Sequence, residues 1–168
     1  MPNTVAETNR SLQVKTVEKF YVSFYQMPEN ISNILGREVM SISRPNLTFT
    51  EYEIRNKGIK QAGETVIDYT TVDIIFYDDM NSLVNHALYE QVLRQTHQST
   101  QVHTTSRFDV GVKIYAADGK VVEEFRLKNC YINSITHSEQ IYADSTNNNI
   151  TVSVTFNDLD YNFPQLEV

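Results

Sequence analysis

A chain of 168 residues has room for one domain with a real core, and its formal charge of −7 disfavours tight binding to duplex nucleic acid, which depends on Lys and Arg neutralising phosphates. Ten Tyr, eight Phe, few Gly and Pro and no Trp suit a β-rich protein, and the lone Cys130 excludes an intrachain disulfide, as fits assembly in a reducing cytoplasm. Residues 1–19 are polar and no stretch approaches the ~18 apolar residues of a membrane span, so neither export by a general signal nor membrane insertion is expected.

Residues 1–17 show little periodicity and are expected to form an arm that orders against a partner. A first strand spans 20–25, closed by Met27 and Pro28; an Asn-rich connector, 29–37, leads to a second strand at 38–43, which Pro45 interrupts. From 47 to 52, Leu47, Phe49 and Glu51 alternate with Thr48, Thr50 and Tyr52. The pattern then stops. Residues 55–64 (RNKGIKQAGE) are basic and read as a long loop or a flexible hairpin tip, with Arg55, Lys57, Gly58, Lys60, Gly63 and Glu64 as candidate contact residues. One long strand is expected at 66–77, with Val72, Ile74 and Phe76 on a hydrophobic face. Asp78 and Asp79 then offer a cap for a helix over 80–95, whose apolar stripe is Leu83, Val84, Ala87, Leu88 and Val92.

After a polar linker at 96–106, Phe108, Val110, Val112 and Ile114 point one way and Arg107, Asp109, Gly111 and Lys113 the other. Asp118-Gly119 reverses the chain into a return strand over 120–132, and a polar loop covers 137–149. The last strand, 150–157, sets Val152, Val154 and Phe156 against Thr151, Ser153 and Thr155 before running into 158–163. Small uncharged residues opposite a hydrophobic row are unusual for an exposed sheet face. Such a face is hidden or built to slide past something, although an ordinary solvent-facing strand has the same pattern. One domain over 18–163, with a tail at 164–168, accounts for the pattern.

His86, His97, His103 and His137 lack the convergent spacing of metal ligands and read as surface residues. Asp78-Asp79 and Glu123-Glu124 are not acid–base pairs, because neighbours on a strand face opposite ways; capping and solvated-strand roles explain them more simply. No nucleophile elbow, phosphate-cradling glycine loop or Cys–His–Asn set is present, so neither catalysis nor a cofactor is expected. The glycosylation triplets at Asn30, Asn46 and Asn149 carry no meaning without secretion. Arg55, Lys57 and Lys60 are better suited to an acidic surface on another copy than to nucleic acid, given the net charge.

Two stretches carry a resemblance. They are MSISRPNLTFTEYEIRNKGIKQAGETVIDYTTVDIIFYDD followed by NSLVNHALYEQVLRQ, and RFDVGVKIYAADGKVVEEFRLKNCYINSI followed by NNNITVSVTFNDLDYNF. Their order and spacing over 20–163 resemble the tail tube proteins of contractile-tailed bacteriophages, whose fold is shared by type VI secretion tubes. The resemblance implies a mainly β protein, an antiparallel β-sandwich or barrel with one flanking α-helix and a long loop. It also implies hexameric rings that stack into a channel for genomic DNA, within a virion assembled in the host cytoplasm. The implied partners are other copies, the tail sheath protein, the baseplate and tail terminator proteins, and, transiently in the lumen, the tape measure protein and DNA. In that setting 55–64 would bridge rings, and Thr151, Ser153 and Thr155 would line the channel. The polar arm before Phe20 and the long 96–106 segment depart from the family pattern. A tube of a contractile injection or type VI-like system, a baseplate tube initiator, or a monomeric carbohydrate- or peptide-binding β-sandwich are the competing readings.

Overall fold

The structure, a computed structural model, describes residues 19–51, 54–56, 59–61, 65–97, 106–138 and 148–164. Its elements in chain order begin with β1 (Lys19–Tyr25), α1 (Glu29–Arg37), β2 (Val39–Ile42), β3 (Leu47–Glu51), β4 (Ile54–Asn56), β5 (Ile59–Gln61) and β6 (Thr65–Tyr69). There follow β7 (Val72–Tyr77), α2 (Leu83–His97), β8 (Phe108–Tyr115), β9 (Val121–His137), β10 (Asn149–Thr155) and β11 (Asp158–Asn162). The arm at 1–17, most of the 96–106 linker and most of the 137–149 loop lie outside the described residues.

All strand pairs are antiparallel, in the order β1-β8-β9-β10-β7-β2, with β11 also on β9. The sheet folds over itself because β9 belongs to both layers. Its first part pairs with β8 and β11, and its last part, from Tyr131, pairs with β10. The corner falls at Asn129, whose φ of 57° is left-handed, where the register against β8 slips between Phe108 and Val110. Asp109 holds that corner: one carboxylate oxygen accepts the Asn129 N–H at 3.0 Å and the other accepts Arg126 Nε and Nη2 at 3.1 and 2.8 Å.

The alternation in the sequence therefore points into a sandwich. Phe108, Val110, Val112, Ile114, Val72, Ile74, Phe76, Val152, Val154 and Phe156 are all buried. The two layers meet where the Phe24 and Phe76 rings lie 6.2 Å apart. Each such aliphatic or aromatic side chain contributes about 1.5–3 kcal/mol by leaving water. The turn at Gly119 is as expected, with φ at 82° and the Gly119 N–H donating to Ala116 O at 2.9 Å.

Several elements differ from the sequence reading. The 29–37 connector is a helix, so two helices flank the sandwich. Asn30, Ser32, Asn33 and Gly36 are poor helix formers, yet Ile31 and Leu35, one turn apart, are buried, and Pro28 sits at the N-cap. The expected 66–77 strand is two strands broken at Thr70-Thr71, β6 joining β3 and β7 joining β10 and β2. β9 continues past Ile132 to His137, because β10 pairs along that stretch. The final run is broken at Asn157, after which β11 returns to the first part of β9.

Helix α2 begins at Leu83, later than expected, because Asp79 organises the preceding turn: its oxygens accept the N–H groups of Asn81 and Val84, both at 3.2 Å. Val84, Ala87 and Leu88 pack into the core. Near its other end the Gln95 amide accepts the Ile132 N–H at 2.9 Å and donates to the Ile132 carbonyl at 3.2 Å. One side chain thus takes the place of a neighbouring strand at β9's edge.

Candidate assembly surfaces

Thr151, Ser153 and Thr155 lie on the outer side of β10, half-buried by their neighbours. Register sets them beside β7 and β9: Thr151 opposite Ile75 and Thr136, Ser153 opposite Asp73 and Ser134, Thr155 opposite Tyr131. The Ser153 hydroxyl donates to Asp73 Oδ1, and the Asp73 N–H donates to Ser43 Oγ at 2.9 Å. These positions carry mostly hydroxyls and one carboxylate, and the Arg107 guanidinium lies over the Tyr131 ring at the end of the band, 4.2 Å from its centroid. The outer face of the other layer is different in kind. There Lys113 meets Glu124 at 3.6 Å, Arg126 meets Asp109 at 2.8 Å, and Lys128 meets Asp160 at 2.5 Å. The β10 face is thus richer in hydroxyls, and the other face richer in ion pairs.

The second surface is a projecting arm. β3 pairs with β6, and β4 with β5, so the stretch expected as a loop or hairpin tip carries paired strands, with Arg55 directly opposite Lys60. Lys57, Gly58, Gly63 and Glu64 lie outside the described residues. Register puts Phe49 opposite Ile67 and Leu47 opposite Tyr69, and Leu47, Phe49 and Ile67 are 43%, 64% and 45% exposed. On the other side Thr50 donates to Asp68 Oδ2 at 2.8 Å. The arm is amphipathic, and its apolar row faces solvent in the single chain. At its base the Tyr69 ring lies 5.2 Å from that of Phe156.

A buried acid fixes the same base. Glu123, 3% exposed, pairs with Arg44 Nη2 at 3.1 Å and accepts the Tyr161 hydroxyl. The solvated role expected for it is therefore incorrect. Glu123 shares the inward phase of Phe125 and Leu127, the signal that identifies it, while Glu124 faces outward to Lys113 as the alternation requires. Burial first, and the hydrogen bond to Glu123 second, push the Tyr161 phenol up to about 12.

Among the described residues no three His, Cys, Asp or Glu side chains converge as metal ligands, and no helix is long and apolar enough to cross a membrane. No family model and no curated protein sequence matches the chain. Solved structures do. The anti-feeding prophage tube-terminating cap matches with a TM-score of 0.63 at 12% identity, over 95% of this chain and 99% of that one. This chain has the tube-protein fold. A chain from the extended sheath-tube complex of an extracellular contractile injection system matches with a TM-score of 0.59 at 12% identity, over 91% and 94%. Hcp1 from Salmonella typhimurium matches at 0.50 and 12% identity, over 86% of each chain. At such identities the fold is what is shared.

Proposed function

We propose that this chain is a structural tube subunit of a contractile phage tail, which forms rings of six that stack into the channel for genomic DNA ejection. The tube fold, matched over 95% of this chain, is the observation that carries the reading. The chain works in the virion after assembly in the host cytoplasm, with the sheath, baseplate and terminator proteins outside and at the ends, the tape measure protein and DNA transiently inside, and no cofactor or catalytic step. Thr151, Ser153 and Thr155 line the lumen, where neutral hydroxyls and scattered carboxylates let DNA pass, since basic side chains would add counterion-release affinity at every ring. The arm carrying Arg55, Lys57, Gly58, Lys60, Gly63 and Glu64 bridges rings, covering the apolar row of Leu47, Phe49 and Ile67.

Electron microscopy of the purified protein tests this. Stacked sixfold rings are expected, and another symmetry or a persistent monomer removes the tube assignment. Replacing Arg55, Lys57 and Lys60 together by Glu is expected to leave circular dichroism and melting unchanged and to shorten the tubes, although each exposed pair contributes only about 0–1 kcal/mol. Normal-length tubes would remove these charges from assembly. A second reading, the tube or tube terminator of a contractile injection system, is favoured by the similarity to the sheath-tube complex of one such system and to a tube-terminating cap. Native particles whose lumen holds protein cargo and no nucleic acid would select it.

A further inference from the structure

The two ends of the seven-stranded path, β1 and β2, do not pair with each other or, on their outer sides, with any other described strand. Two adjoining cavities, which share Phe20, lie between them and form a groove. Lys19–Val22 stand opposite Val39 and Met40 around about 560 Å³, and Phe20 stands opposite Ser41, Ile42 and Arg44 around a further 300 Å³ or so, over a floor of Val112, Ile114 and Phe125. Phe20 and Met40 are 36% and 41% exposed at its rim. A groove with an apolar floor and open backbone edges on both walls has the form of a missing strand.

We propose that residues 11–16 of this same chain occupy the groove as a strand between β1 and β2, closing the sheet upon itself. The groove opens at Lys19, and eighteen residues precede that position. Six extended residues span roughly 20 Å, enough to follow β2 and leave residues for a turn into β1. Leu12 and Val14 alternate with Gln13 and Lys15, the pattern of a strand with one face on a core. The open edge of β1 is short, so β2 carries the rest of the pairing. Gly36 of α1 comes so near that a Cβ there would lie 3.2 Å from Val22 O, so α1 shields β1 from Val22 onward and only Lys19–Tyr21 remain for pairing. Tethering gives the segment an effective concentration in the millimolar range, which a second copy would reach only after association. The partner expected for the amino-terminal arm is then the chain's own body, a conclusion independent of tube assembly.

Cysteine pairs test it in dilute protein carrying Cys130→Ser, with Gln13→Cys or Val14→Cys combined with Met40→Cys. Neighbours on a strand face opposite ways, so one of the two is placed to reach. Mild oxidation is expected to give a cross-link within one chain, seen as the monomer mass with two hydrogens lost. A cross-link between chains would assign the groove to a second copy, and two thiols that remain free to maleimide would leave it uncovered; either overturns the proposal. Hydrogen exchange covers the case in which the cysteine variants fail to fold. Deleting residues 2–17 from the otherwise native chain is expected to speed exchange of the β2 amides at least tenfold while β8 and β10 stay protected. Unchanged β2 exchange overturns the proposal, and a monomer that never forms rings still decides the matter.

Discussion

Replacing Asp109 by Ala is expected to open the corner of β9. Asp109 is 6% exposed, and its carboxylate holds two partners, the Asn129 N–H at 3.0 Å and the Arg126 guanidinium at 2.8–3.1 Å. Arg126 is 42% exposed at its side chain and keeps its place over the Tyr25 ring, 4.5 Å away, so water replaces much of what it loses and that pair counts for about 0–1 kcal/mol. The bond from the main chain to a charged acceptor counts for about 1.5–3 kcal/mol, and Asn129 is left in a left-handed conformation without its support. Together the loss is about 2–4 kcal/mol, which for a chain of this length lowers Tm by roughly 5–15 °C. Urea unfolding followed by circular dichroism, with an unchanged m-value, measures it. Asp109→Asn retains an acceptor and should lose about half as much. A loss below about 1 kcal/mol for the alanine variant would show that something other than this carboxylate sets the corner.

Gln95→Ala should cost about 1–3 kcal/mol in the same assay, since it leaves both main-chain groups of Ile132 without their partner, and it should speed exchange of the Ile132 amide. Tyr161, held near 12 against about 10 in the unfolded chain, binds its proton more tightly when folded; the resulting stability is fully present below pH 10 and is lost as pH rises through about 12. Glu123→Gln should lower that value, read as earlier tyrosinate absorbance in the alkaline titration, and an unchanged titration would refute the coupling. Cys130 is fully buried, and burial pushes its thiol up to about 12, so it should resist a thiol reagent at pH 8 in the native protein and react only at the rate of unfolding. Prompt labelling under native conditions would contradict its position.

The core was legible because period-2 alternation survives wherever one strand face is buried, as in β8 and β10. The helix at Glu29–Arg37 was hidden by its composition: only Ile31, Ile34 and Leu35 mark it, and its stability comes from packing on β1, which no local window contains. The break at Thr70-Thr71 was invisible for a related reason. Both flanking segments favour extended backbone, and only the partner, β3 for one and β10 for the other, distinguishes them. Asp109 and Glu123 show what charge does to pattern reading. Each looks like a solvent-facing acid, and each is buried because a distant basic residue, Arg126 or Arg44, arrives through the fold. The hydroxyl face at Thr151, Ser153 and Thr155 was visible residue by residue, but its breadth, extending to Ser134, Thr136 and Asp73, depends on register.

The pairing of β1 with β8 also sets an order of events during synthesis. Val22 must wait for Val112, about ninety residues later, to find its own partner, whereas Leu47 finds Tyr69 within the same short stretch. The arm can therefore take shape while the body is still incomplete, and the layers cannot close until β10 and β11 have been made. A nascent chain therefore exposes the row of Leu47, Phe49 and Ile67 well before its core is complete.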